Sequence, residues 1–190
     1  MNRVVMMESV QEQMPAKRWK HTLGVMKTAV ELAQRFKGDS EKADLASLLH
    51  DYCKYWPVER QKQVLIDAGD TDNDILLFDK QLWHAPAAAI EVSTIFGVED
   101  IEVLNAIRYH TSGRVGMTLL EKIVCLADYM EPGRDFPEVN KIRELAEHSL
   151  EKALVAGIDS TICHLFSKGR KVFPLTILAR NSLIELIDKE

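Results

Sequence analysis

Apolar residues in this chain recur every three or four positions and almost nowhere every second one. From Lys17 to Phe36 they stand at Trp19, Leu23, Val25, Met26, Ala29, Val30, Leu32, Ala33 and Phe36, which is the stripe of an amphipathic helix. Gly38 stops that helix, and Asp39-Ser40 can cap the next, which carries Ala43, Leu45, Ala46, Leu48, Leu49 and Tyr52 and ends before Pro57. Residues 58–68 read as a short helix closed by Gly69, and the polar run Gly69–Asp74 as a turn ahead of a helix from near Asp74 to Leu82. Pro86 fits a first helical position in a helix ending at Gly97, and Asp100 to His110 is another. Thr118 and Glu121 form a capping box before an Ile123–Tyr129 helix. The pattern predicts a long helix from Pro137 to about Ala156, one from about Asp159 to Lys168, and a last one from Pro174 to Asp188. Only Lys171-Val172-Phe173 offers itself as a short extended piece, so the fold class is all-α. A length of 190 residues suits one domain, with residues 157–190 as a C-terminal helical extension of the same bundle.

Charge and cysteine usage narrow the function. The net charge is −5 and no basic stripe is present, which argues against a nucleic-acid partner. No apolar run approaches the ~20 residues that span a bilayer, and the short apolar patch before Glu8 cannot serve as a secretory signal. The expectation is a cytoplasmic protein with no membrane partner. Cys53, Cys125 and Cys163 are odd in number and form no C-x-x-C pair, so they read as small buried hydrophobes rather than disulfides.

The informative residues are polar ones on apolar faces. His21 shares a stripe with Val25, Ala29, Leu32 and Phe36; His50-Asp51 follows Leu48-Leu49; His110 is in register with Val103 and Ile107; Asp128 follows Val124 and Cys125. A buried carboxylate is costly unless it is paired or bound to a metal. Two aspartates and several histidines directed at one core offset that cost by sharing a cation, and imidazole with carboxylate suits iron, zinc or manganese. A lone histidine on such a face is usually a satisfied core residue; the His21, His50-Asp51 and Asp128 set is what points to a metal. His148, on a charged helix, and His164, between Cys163 and Leu165, read as structural.

These residues carry a family resemblance. H…HD…H…H…D in an all-α chain resembles the HD-domain superfamily of metal phosphohydrolases. Arg18-Trp19-Lys20-His21, Leu48 through Lys54, Leu82-Trp83-His84, Ala106 through Gly113, Ala127 through Arg134, and Leu178 through Asn181 resemble the YqeK family, the HD-type symmetrical diadenosine tetraphosphate hydrolases of bacteria. The resemblance covers about residues 15 to 185. The His110–Gly113 and Ala127–Arg134 segments are its specific part; Ala85 and Ser112 depart from the usual pattern without removing a ligand.

The resemblance implies an HD-domain helical bundle, an iron-containing site of one or two ions, and cleavage in the middle of the tetraphosphate to give two ADP. It matches His21, His50, Asp51 and Asp128 to metal ligands, and His84 and His110 to positions facing the phosphate or a second metal. Asp51, Lys54, His84 and His110 are the expected catalytic set. Lys54 lies one turn after His50, and Arg18 one turn before His21, so both can meet phosphate; Arg134, Thr111 and Arg170 complete the expected substrate contacts. Protonated His84 or His110 would steady the leaving group, and the helix starting near Pro86 would point its N-terminus at the anion. The partner is then a dinucleoside polyphosphate or nucleoside diphosphate, with a homodimer as the implied assembly. Another HD nucleotidase or phosphodiesterase, and a non-catalytic nucleotide-binding module, are the rival readings.

Overall fold

The computed structural model describes residues 2–70 and 72–189, without the side chains of residues 72 and 73. Ten α-helices follow one another among the described residues: α1 (Arg3–Glu12), α2 (Ala16–Arg35), α3 (Ser40–Leu49), α4 (Val58–Asp67), α5 (His84–Phe96), α6 (Ile101–Tyr109), α7 (Leu119–Met130), α8 (Val139–Leu145), α9 (Leu150–Ser167) and α10 (Pro174–Ile187). Two short 3-10 segments, Asp72–Leu77 and Lys80–Leu82, stand between α4 and α5, where the sequence pattern predicts one α-helix. Thr71, inside the expected turn, lies outside the described residues.

The caps are those the sequence offers. Asp39 accepts from the N–H groups of Glu41 and Lys42, and Asp100 from those of Glu102 and Val103, which satisfies donors that a helix start leaves free. Thr118 accepts from the Glu121 N–H. The capping box is completed on one side only, because the buried Glu121 carboxylate takes a two-pronged ion pair with Arg114 instead (2.7 and 2.9 Å). Residues 171–173 carry no strand. Helix α1 went unread in sequence: its Val4 and Val5 face solvent, and only Met6 and Val10 enter the core, so no stripe is visible.

The largest revision lies near the C-terminus. The expected break at Gly157 is absent, and α9 runs through it; the chain breaks earlier, at Ala146–Ser149, where Ser149 caps α9 by accepting from the Lys152 N–H. Gly157 stays helical and serves packing: a Cβ there would stand 3.1 Å from the Tyr129 ring.

Helix α2 packs chiefly on α3 and α7, α6 on α5 and α7, and α9 on α7, α8 and α10. One apolar cluster runs through them from Met6 to Leu183, centred on Leu32, Leu48, Leu49, Ile107, Ile123, Leu126 and Leu154. Burying such side chains is worth about 1.5–3 kcal/mol each. The core holds α2, α3, α6 and α7 rigidly, and the ends of α3, α5 and α6 converge where their polar residues meet.

Candidate metal centre

Local rules set the first two imidazoles. His50 and His110 both cap the helix that precedes them, α3 and α6, and in each the ring bends back one turn: His50 Nδ1–H donates to the Ser47 carbonyl (2.6 Å) and His110 Nδ1–H to that of Ile107 (2.8 Å). A helix end leaves such carbonyls without partners. Satisfying them fixes the tautomer, so each Nε2 lone pair points away from its helix. The two rings meet edge-on, 4.9 Å apart.

Asp51, 2% exposed, is the centre of the site. Its Oδ2 lies 3.1 Å from His50 Nε2 and 3.9 Å from His21 Nε2; its Oδ1 lies 3.2 Å from His84 Nε2 and 3.9 Å from His110 Nε2. The side chain thus belongs to two groups able to hold a cation, His21–His50–Asp51 and Asp51–His84–His110. Despite their closeness, His21 Nε2, His50 Nε2 and Asp51 Oδ2 make no hydrogen bond of acceptable direction among the described residues. Buried imidazole nitrogens without hydrogen-bond partners are costly, and two of them beside a carboxylate oxygen, all within 4.8 Å of one another, fit the donor set of a divalent metal site. Asp128, on α7, brings Oδ1 to 3.0 Å from His21 Nε2.

The electrostatics follow. Burial would raise Asp51, but the neighbouring His50 and the bond to His84 hold it well below the usual carboxylate range; Asp128 behaves alike through His21 and Arg134. Burial would lower His50, yet Asp51 beside it pushes it up, so the site favours a positive partner at Nε2, whether proton or metal. His84 is pushed down by burial and by Lys54, and His110 to about 3 by burial and by His50 and His84. This corrects the expectation of a protonated His84 or His110: both are neutral near pH 7.

The basic residues reach the same place by different routes. Lys54 directs Nζ at His84 Nδ1 (3.3 Å); burial lowers its pKa, with Arg18 and Arg134 adding to the effect against Asp51. Arg18 is ion-paired with Asp51, 3.1 Å from Oδ2. Arg134 is folded onto Asp128, donating to both its main-chain and side-chain oxygens. Arg170 stays out of the cluster: it is exposed at the mouth of the cleft and paired with Asp79 (2.8 Å).

A cleft of about 940 Å³ leads from this centre along α9, lined by Lys54, His110, Thr111, Asp128 and Arg134 at its inner end and by Phe136, His164 and Phe173 further out. Cys163 also lines it and is exposed, which corrects the buried-hydrophobe reading for that cysteine, while Cys53 and Cys125 are buried as expected. His164 also lines the cleft and is exposed. His148 lies in the turn before α9 and is exposed. Sequence reasoning missed Glu131, whose buried carboxylate accepts from His21 Nδ1–H (2.9 Å). The available signal was Gly24, a glycine in the body of a helix with no turn to make.

The HD domain family model matches residues 18–133. This chain belongs to the HD-domain family. It is 47% identical over 184 residues to the symmetrical bis(5'-nucleosyl)-tetraphosphatase of Bacillus subtilis, covering 97% of this chain and 98% of that one. The protein of the same name from Halalkalibacterium halodurans is 41% identical with the same coverage. A crystal structure described as a predicted HD superfamily hydrolase involved in NAD metabolism, from Clostridium acetobutylicum, superimposes with a TM-score of 0.92 at 41% identity, over 97% of this chain and 98% of that one. Within the HD family the chain is a YqeK-type hydrolase.

Proposed function

We propose that this chain is a symmetrical bis(5'-nucleosyl)-tetraphosphatase, hydrolysing diadenosine tetraphosphate to two ADP. The observation that carries the reading is Asp51 shared between two imidazole groups at the inner end of a cleft lined by Lys54 and Arg134, in a chain nearly half identical to enzymes of that name.

His21, His50, Asp51 and Asp128 would hold one cation, and Asp51 with His84 and His110 a second; iron is the metal we favour. A divalent cation in such a site supplies a nucleophile from water near neutral pH and polarises a phosphoryl oxygen. Lys54 and Arg134 grip the phosphates of one nucleoside diphosphate unit, with Thr111 on the cleft wall beside them and Arg18 and Arg170 at the inner and outer limits of reach. Neutral His84 and His110 bring no charge of their own to the leaving ADP, so neutralising it falls to Lys54 and Arg134. Asp51 is kept ionised by its neighbours and is not a proton donor. We read residues 157–190 as an extension of one domain, because Ile158, Ile162 and Leu183 join the common core. Free thiols and a nucleotide substrate fit a cytoplasmic enzyme.

Hydrolysis of diadenosine tetraphosphate in isotopically labelled water, followed by chromatography and mass spectrometry, tests the reading. ADP alone, carrying the label, is expected. AMP with ATP would place the attack at an outer phosphorus and overturn it.

A further inference from the structure

Glu131 has no part in the reaction as written, yet it is built into the site with care. Its carboxylate is 3% exposed. Oε1 accepts from His21 Nδ1 at 2.9 Å and Oε2 from the Gly133 N–H at 2.6 Å. A carboxylate accepts, so the proton of the first bond sits on His21 Nδ1, and Nε2 is the atom turned to Asp51 and Asp128. Two glycines make the seat: a Cβ at Gly24 would stand 2.4 Å from Oε2, and one at Gly133 would stand 2.9 Å from Oε1. Gly24 lies on α2 one turn after His21, where glycine weakens a helix; room for Glu131 accounts for it. From α8, Arg143 ties down the main chain that carries Glu131, donating to the carbonyls of Met130, Glu131 and Arg134 at 2.9–3.0 Å.

The histidines are therefore not equivalent. His50 and His110 lean on main-chain carbonyls. Behind His84 stands a cation, Lys54, and behind His21 an anion. An anion behind a ligand imidazole strengthens it as an electron-pair donor, and a cation weakens it.

We infer that Glu131 is a positioning residue that fixes His21 and makes His21–His50–Asp51 the tighter of the two cation positions. The inference rests on the metal reading of the site. Both carboxylate oxygens accept from N–H groups, and an amide has only one acceptor oxygen, so Glu131→Gln must lose one contact.

The test is the affinity of the metal-free full chain for Mn²⁺ and for Zn²⁺, measured by competition with a chelating dye, with helical content and Tm recorded for each variant. Glu131→Gln should weaken the tightest-bound cation about 10- to 100-fold. His84→Ala should leave that affinity near wild type, and His21→Ala should lower it. In the His21→Ala background, Glu131→Gln should have no further effect. If Glu131→Gln does not fold, Gly24→Ala, which crowds the carboxylate from its seat, should show the same loss. Wild-type affinity in a folded Glu131→Gln chain (or in Gly24→Ala where that variant must stand in for it) overturns the inference alone. So does a loss in His84→Ala matching that in His21→Ala, or an undiminished effect of Glu131→Gln when His21 is absent. A wild-type chain that binds neither cation overturns the metal reading, and this inference with it.

Discussion

Arg134 is folded back onto Asp128, donating from Nε to its main-chain carbonyl at 2.6 Å and from a terminal nitrogen to its carboxylate. A planar guanidinium makes the two bonds from two nitrogens held in a rigid fork, which the single nitrogen of an ammonium does not reproduce. Arg134→Lys should therefore lower kcat/KM about 10- to 150-fold, the equivalent of the ~1.5–3 kcal/mol of a charge-assisted bond. It should also weaken metal retention, because Asp128 loses its support. Kinetics on diadenosine tetraphosphate together with elemental analysis would show both effects; unchanged metal content would mean that Asp128 needs no such support.

Lys54 separates substrate from metal. It faces His84 and the cleft but, among the described residues, no carboxylate at bonding distance, so Lys54→Ala should reduce kcat/KM while metal content stays at the wild-type level. A variant that loses its metal would show Lys54 to be part of the metal support.

The same side chain gives a pH dependence. Burial lowers the Lys54 pKa, and lysine is charged only below its pKa. Its charge is thus lost at lower pH than for an ordinary lysine, and the alkaline fall in kcat/KM should begin below the usual lysine range. In Lys54→Arg, whose guanidinium stays charged, that limb should move upward. A profile identical in the two enzymes would assign the limb to another group.

Glu121 is 1% exposed and, among the described residues, its carboxylate is paired only with Arg114. Arg114→Ala strands a buried charge and should cost about 3 kcal/mol of stability, read by urea unfolding. Adding Glu121→Leu should recover most of that loss. If the single variant is as stable as wild type, the carboxylate has found water or another partner.

Gly157 sets two effects against each other. Alanine in a helix interior gains up to ~1 kcal/mol over glycine, while overpacking costs ~1–3 kcal/mol. With the Tyr129 ring 3.1 Å from the added Cβ, crowding wins and Gly157→Ala should lower Tm. A raised Tm would mean that the ring moves freely aside.

Sequence by itself determined the helices with clean stripes, their Asp39, Asp100 and Thr118 caps, and the inward placement of His21, His50, Asp51, His110 and Asp128. Each of these is a local or periodic property: a cap acts within three residues, and a stripe reports which side of one helix is buried. Tertiary structure decided the rest. Arg134 points at Asp128 rather than outward, Arg170 stays at the rim with Asp79, and Cys163 is exposed on the cleft wall. His84 and His110 are neutral because burial and adjoining positive groups act on them across helices. Glu131 reaches His21 over 110 residues of chain. Periodicity says that a side chain is buried; which atom it meets depends on how separate helices are set against one another, and that is a property of the packed core.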